Sequence, residues 1–582
     1  MLSIYNFQSN KATAQKFMKY TGGFWTGPSA KIAWLLTIGL AGSLVLKLVV
    51  DVALNKWNRW FFDALEQRDV NTAVMAMLIF AVLVVAIAAV GVAIFLTREY
   101  LQVRWRKWCT VRLYNEWLAN QKYYLMSLAS SKVRNPEYRI SDDVRMATEP
   151  LTDFAIVLFT AVLSFFTFSA ILWKVGGSYD LSIHGQPFEI PAFMLIGALV
   201  YGLGMSAIIP IVGKDLASVA AAKNESEAQF RSEMIKIREN SNSILASKGE
   251  SYAEGRLNSR YSDLVKAWWE LVRQHGRLTW VTNSNSAMIP IIPLILCTPK
   301  YLEGKLSLGE VMQLASAFVQ VQFAIGWLVD HFRAIAEWFA SAKRITELVD
   351  ELNVIKSSET QFKNQNKIIR LEAKDQSIEL SNLAISSDDD QTLLKVDGLI
   401  AKQGERIAIF GASGSGKTIL AQAISGIWKT GSGSIHVPND KNVLIIPSNP
   451  FVPEGNLLDV IAYPFGQADL KLEKLQKYMG EFGLKKYIEK LNSEEEWSQA
   501  LSAGEKQLIS MLRILTIQPD ILILDDSFSL VDKKIKEIFF EELLSLRSQI
   551  TIISLQSSML DRDIFHRRYA ISDGALMDES FV

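Results

Sequence analysis

Gly411-Ala412-Ser413-Gly414-Ser415-Gly416-Lys417-Thr418 sets three glycines, an ammonium and a hydroxyl in one short run. An apolar strand is expected immediately before it, at Arg406–Phe410, and a helix immediately behind it, at Ile419–Ile427. In that setting the glycines let backbone N–H groups curl around phosphate oxygens, and the helix N-terminus adds partial positive charge. Lys417 is placed to reach β- and γ-phosphates, and the Thr418 hydroxyl to ligate Mg²⁺. The binding set therefore runs from Gly411 to Ile419, the Walker A pattern. Downstream, the apolar run Ile521–Leu524 ends in Asp525 and Asp526, the Walker B arrangement, with Asp525 at the metal. Between the two lies Leu501-Ser502-Ala-Gly504-Glu505-Lys-Gln507, where Ser502 and Glu505 have the spacing of a capping box at the start of a helix expected over Leu508–Ile517.

These residues need an α/β scaffold, and the sequence supplies one only in its last part. Short apolar strands are expected at Arg406–Phe410, Val443–Ile446, Ile521–Leu524 and Ile550–Ser554, alternating with helical segments from about residue 378 to 582. The stretch before it, 346–377, is polar and rich in Lys, Ser, Gln and Asn, and reads as a linker. Upstream the composition changes. Of 15 Trp, only Trp428 and Trp497 lie beyond residue 350, and the whole chain of 582 residues is 49% hydrophobic with a mean hydropathy of +0.15. Ala73 to Leu96 carries no charge and is long enough to cross the hydrocarbon of a bilayer as a helix. Further spans are expected from Ile32 to Leu54, Leu151 to Trp173, Phe188 to Val212, Trp280 to Thr298 and Leu308 to Val329. Residues 31–345 thus form a six-helix membrane domain behind a short segment, 1–30. Arg98, Arg104, Arg106, Lys107 and Arg112 follow the second span, whereas the loop at 174–187 holds only Lys174, which puts both termini in the cytosol. The long charged loops 98–150 and 214–278 are expected to carry helices out into the cytoplasm.

Charge and cysteine content exclude other classes. With 61 basic and 61 acidic residues the chain has no net charge to drive nucleic-acid binding, and Cys109 and Cys297 are too few for a disulfide framework or a thiolate metal site. No cleavable leader pattern opens the sequence.

Walker A, an LSGGQ-like signature at Leu501–Gln507, Walker B, and then Ser529-Leu-Val-Asp532 as a D-loop together resemble the nucleotide-binding domain of an ABC transporter. The resemblance implies that ATP and Mg²⁺ are bound. It also implies that two such domains meet head to tail, Ser502, Gly504 and Glu505 of one chain closing over the γ-phosphate held by Lys417 of another. The membrane half is similar to the SbmA/BacA peptide-uptake family and the related ABCD half-transporters. The likeness runs through Leu54-Asn-Lys-Trp57-Asn-Arg-Trp60-Phe-Phe-Asp-Ala-Leu65, Arg104-Trp-Arg106-Lys-Trp108, Asn135-Pro-Glu-Tyr-Arg139-Ile-Ser-Asp142, Glu225-Ser-Glu227, Arg238-Glu-Asn240 and Ala336-Glu337-Trp338. The implied fold is an all-α six-helix exporter-type transmembrane domain with long cytosolic extensions, fused to a C-terminal α/β P-loop ATPase.

Three catalytic positions depart from the family pattern. Asp526 stands where a glutamate is expected to polarise the attacking water and is one methylene shorter. Ser557 stands near the expected switch histidine, the nearest His being His566, and Ser448 takes the place of the Q-loop glutamine. Ser386 and Ser387 occupy the stretch where an aromatic adenine platform is expected. Three readings stay open. ATP drives transport by a homodimer, or by a heterodimer in which this chain has the weakened site and lends its signature to a paralogous half-transporter; or a degenerate ATP module accompanies transport on the proton gradient, with Glu225, Glu227, Glu239 and Glu337 as carboxylates to test; or the chain is a membrane-anchored ATP-binding regulator without transport. The resemblance favours peptides or another bulky hydrophilic solute, with fatty acyl compounds as the ABCD alternative, and a bacterial inner membrane as the location, with membrane lipid as a further partner.

Overall fold

The structure is a computed structural model that describes residues 2–128, 135–183, 186–361, 368–373, 375–387, 391–438, 441–464, 466, 471–557 and 564–578. It divides into two compact units, Met1–Lys356 and Ser357–Val582.

The first unit is helical. Among the described residues six stretches are long and apolar enough to cross a membrane: Ala30–Glu66, Val70–Ser127, Pro136–Gly176, Phe193–Glu239, Glu250–Leu302 and Leu308–Trp327. Leu78, Val82 and Val85 of the second stretch are exposed, as expected where the surrounding solvent is hydrocarbon. Two of the expected spans are corrected. Phe188, the expected start of the fourth, belongs to β2 (Gln186–Ile190), which pairs antiparallel with β1 (Tyr179–Ile183); the helix begins only at Phe193, after Ala192 at φ 50°. The fifth, Trp280 to Thr298, is not continuous: one helix ends at Met288 and the next starts at Ile291. Pro290 explains the break through its missing N–H, which leaves a gap in the hydrogen-bond ladder, while Ile289 (φ −50°, ψ −48°) and Pro290 (φ −74°, ψ −21°) keep helical dihedrals, so the two helices run on as one spanning stretch.

The expected linker over 346–377 is also corrected. Residues 346–361 are the last turns of a 54-residue helix, Leu308–Gln361. Ile345, Leu348 and Leu352 recur at helical spacing and are fully buried in a cluster with Phe17, Leu113 and Trp338, so packing overrides the polar composition around them. Residues 362–367 and 374 of that linker lie outside the described residues. A turn of π-helix, Arg139–Asp143, presents Asp143 to this helix, where Arg344 donates to both carboxylate oxygens through Nε and Nη2. Arg139 in turn donates to the carbonyl of Arg344 at 2.7 Å.

The second unit is built on a ten-stranded sheet. Its strands are β3 (Ile369–Glu372), β4 (Ile378–Ser386), β5 (Thr392–Ala401), β6 (Arg406–Gly411), β7 (Gly431–Val437), β8 (Val443–Ile446), β9 (Ile521–Asp525), β10 (Thr551–Gln556), β11 (Arg567–Ser572) and β12 (Ala575–Asp578). The order is β3-β7-β4-β5-β12-β11-β6-β10-β9-β8. Because β3 pairs with β7, the sheet begins ahead of the expected boundary at 378. The run β11-β6-β10-β9-β8 is parallel. Every residue of β9 and β10 is buried, the signature of central strands covered on both faces. One apolar cluster lies around helix Ala503–Ile517 and Phe539; the other lies around helix Lys417–Ile424 and β4 and β5. The four expected strands are present, with ends shifted by one or two residues. The helix after the glycine run ends at Ile424, short of Ile427, and Gly426 at φ 78° turns the chain away.

Candidate active site

Since β6, β10 and β9 are adjacent and parallel, their C-terminal ends bring three loops together. β6 delivers the glycine run, β9 delivers Asp525 and Asp526, and β10 delivers Ser557. Gly414 (φ 83°) and Gly416 (φ 100°) adopt left-handed conformations that a side chain would strain, and Gly416 is the N-cap of the helix that starts at Lys417. The Lys417 ammonium is buried and donates to the carbonyls of Gly411 and Ala412, 2.7 Å to each. The Ser415 hydroxyl is buried with no hydrogen-bond partner, a group waiting for an acceptor.

Thr418 Oγ1 donates to Asp525 Oδ1 at 3.1 Å, joining the two residues expected at the metal. Burial pushes the Asp525 carboxyl up from its ordinary range; the Thr418 bond opposes this, and the neighbouring Asp526 adds to it. Asp526 adopts φ 50°, turning the chain sharply off β9, and its N–H is held by the carbonyl of Leu555 at 2.8 Å. The turn aims its carboxylate at Ser557, whose Oγ donates to Asp526 Oδ2 at 2.9 Å. Asp526 and Ser557, separate in sequence, are therefore one hydrogen-bonded pair beside the glycine loop. Ser558 lies outside the described residues. His566 is removed from the site: it bonds Arg406 at the opposite end of β6.

Ser502 caps the helix Ala503–Ile517, and the capping box with Glu505 is complete in both directions. Burial works against the charged form of Glu505, but bonds from Lys486, Ser502 and Tyr487 outweigh it and hold its carboxyl at about 2. Ser502 is exposed, and Gly504 leaves room for a close approach, since a Cβ there would meet only Leu530 at 3.6 Å. Among the described residues the signature side chains make no hydrogen bond to the glycine loop. Ser448 is exposed, and among the described residues its side chain joins none of the other site residues; its carbonyl accepts from Gln507 Nε2 at 3.2 Å.

Two residues that sequence reasoning passed over organise this edge. Gln507 is 2% exposed; it also donates to Ser529 Oγ at 3.4 Å and accepts from the N–H of Leu530 at 2.9 Å, tying two loops to one amide. Arg513, a lone cation in the apolar run Ile509–Ile517, donates to the carbonyls of Phe451 and Val460, and its burial lowers its pKa to about 10. That isolation in the sequence is the signal that could have singled it out. Near the expected adenine platform, the carbonyl of Ser386 accepts from the indole N–H of Trp428 at 3.1 Å. Glu227 is paired with Lys223 and Glu225 accepts from Gln229, partners on their own helix.

Residues 26–302 match the family ABC transporter transmembrane region 2, and residues 394–529 match the family ABC transporter. The chain is an ABC transporter. It fuses a transmembrane region to an ABC ATP-binding domain, with the ATPase activity that such a domain carries. The transporter is 24% identical to the inner membrane ABC transporter ATP-binding protein YddA of Escherichia coli, over 89% of this chain and 90% of that protein. It is 25% identical to ABC transporter D family member 2, chloroplastic, of Arabidopsis thaliana, over 94% and 84%. It is 24% identical to the human lysosomal cobalamin transporter ABCD4, over 76% and 75%. The transporter is thus a membrane protein related to the ABCD half-transporters, which work as dimers.

Proposed function

We propose that two copies of this chain, or one copy and a paralogous half-transporter, form an ATP-driven transporter for peptides or other bulky hydrophilic solutes. The observation that carries the nucleotide part is the convergence of Lys417, the Thr418–Asp525 pair and the Asp526–Ser557 pair at the ends of three adjacent parallel strands. This donor set fits a magnesium nucleotide: an ammonium and an unpartnered hydroxyl for phosphate, and a hydroxyl with a carboxylate for the cation. Gly411 to Ile419 hold the phosphates, and Lys417 leaves its two carbonyls to neutralise the β- and γ-oxygens. Thr418 and Asp525 hold Mg²⁺, which supplies charge neutralisation at the phosphates when bound. Asp526 accepts the proton of the attacking water, and Ser557 keeps its carboxylate turned towards that task. Ser448 stands at the Q-loop position without the reach of a glutamine side chain. Ser502, Gly504 and Glu505 serve the partner chain's nucleotide, in keeping with the exposure of Ser502.

For the substrate, the support is the likeness of the membrane segments to peptide-uptake proteins and the presence of a cobalamin transporter among the relatives, cobalamin being itself bulky and hydrophilic. The Lys and Arg distribution and the E. coli inner membrane relative support a bacterial inner membrane location with both termini cytosolic. The test is Mg-ATP hydrolysis by the purified full-length protein in nanodiscs, with peptide or cobalamin added, beside Lys417→Ala. The reading requires turnover that the Lys417 change abolishes and a solute stimulates; ionophore-sensitive uptake by the Lys417→Ala protein would replace it with transport on the proton gradient.

A further inference from the structure

Among the charges of the membrane unit, one pair lies inside an apolar span and against a cleft. Lys47 and Asp51, one turn apart on helix Ala30–Glu66, form an ion pair at 2.7 Å. Both line a half-open cleft of about 410 Å³ between that helix and Val70–Leu118, Val144–Gly176 and Leu308–Gln361. Thr160, Ser164 and Gln320 add two hydroxyls and an amide to the same wall, and residues such as Ile94, Ile156 and Phe323 supply its apolar part. Charges within spanning segments are costly and mark ligand or ion paths. The volume suits a small organic molecule, as does an apolar wall with a few convergent polar groups.

The charge pattern limits what can bind. A ligand with one charge would pair with one member of the couple and leave the other unpaired in a medium that solvates it poorly. A ligand carrying both an ammonium and a carboxylate satisfies Asp51 and Lys47 together, and its apolar body meets Ile94, Ile156 and Phe323. We propose that this cleft binds a small zwitterion with an apolar body, of amino-acid or dipeptide size, through Lys47 and Asp51. If the occupant is the transported solute, the proposal rests on the transport reading above and narrows that solute to one short enough for its ammonium and its carboxylate to reach Asp51 and Lys47 together.

The test uses the full-length protein in nanodiscs, with leucyl-leucine as probe and calorimetry as readout. N-acetyl-leucyl-leucine amide, uncharged, and lysophosphatidylethanolamine, a lipid zwitterion, are the comparisons. Lys47→Met combined with Asp51→Leu removes both charges together and so avoids stranding either; helical circular dichroism and the thermal unfolding midpoint report that the membrane unit of the variant is folded, and ATP affinity reports the same for the nucleotide unit. The expected result is binding of leucyl-leucine at least tenfold tighter than the uncharged analogue, and at least tenfold loss in the double variant with ATP affinity unchanged. Equal binding of the uncharged analogue, unchanged binding by the double variant, or no binding by the parent protein overturns the proposal, as does preference for the lipid. ATP-driven uptake into sealed proteoliposomes that survives in the double variant would sink this site as the solute's and leave the transport reading standing. Intact binding without ATP-driven uptake would do the reverse.

Discussion

The Asp526–Ser557 pair makes a quantitative prediction about turnover. In Asp526→Asn the group keeps its shape and can still accept the bond from Ser557 Oγ, now 2.9 Å long, but loses the basicity that proton transfer requires. A positioned general base is worth about 10²–10⁴ in rate, so hydrolysis should fall by that factor while ATP affinity stays within about twofold. Ser557→Ala separates orientation from basicity. A hydrogen bond to a charged group contributes about 1.5–3 kcal/mol, and the exposure of Ser557 puts this one at the low end, so kcat should fall by up to about tenfold with KM for ATP unchanged. Asp526→Glu lengthens the arm by one methylene and should raise kcat if reach limits this site. The assay is phosphate release by the nanodisc-embedded protein, with binding of a fluorescent ATP analogue in parallel. Asp526→Asn retaining half of the parent turnover would refute the assignment of the base, and a Ser557→Ala effect on KM alone would refute the orienting role.

Other perturbations follow from the same contacts. Gln507→Leu keeps volume but removes the bonds to Ser448, Ser529 and Leu530; it should cost about 1–2 kcal/mol, since Ser448 and Leu530 can turn to water, and lower the urea midpoint for release of a bound ATP analogue. Glu505→Gln should lower that midpoint at pH 7. Because the Glu505 carboxyl is depressed from 4.5 to about 2, its contribution is present above about pH 4.5 and is lost as the pH falls through 2, so parent and variant should converge over that window. Arg344→Met strands the Asp143 carboxylate, whose side chain is 1% exposed, and should cost about 3–5 kcal/mol in thermal unfolding of the detergent-solubilised protein. Adding Asp143→Leu should recover most of that loss.

What the sequence made legible depended on whether the signal was local. The six apolar spans, the strand–glycine loop–helix unit, the apolar run ending in Asp525 and the Ser502–Glu505 capping box are each contiguous, and each is present. The turns after Ala342 misled because composition there is polar while Ile345, Leu348 and Leu352 alone decide that the chain stays helical. Residues 369–372 escaped notice because a lone short strand is recognisable only through its partner, β7. The meeting of Asp526 with Ser557, and of Gln507 with the loops of Ser448 and Ser529, depends on strand order, which no local pattern encodes. Pro290 was in plain view, yet an apolar run long enough to span outweighed it.

The helix Leu308–Gln361 contains no proline among its 54 residues, and at 1.5 Å per residue it measures about 80 Å. Without a built-in hinge such a rod acts as a lever: tilting it by about 5° about one end would sweep the other through about 7 Å. The buried contacts of Leu314, Phe318 and Val321 near its start and of Ile345, Leu348 and Leu352 further on then act as two bearings between which the lever is held. A proline introduced between those bearings would split one stiff arm into two, leaving each part folded while motion at one end no longer reached the other.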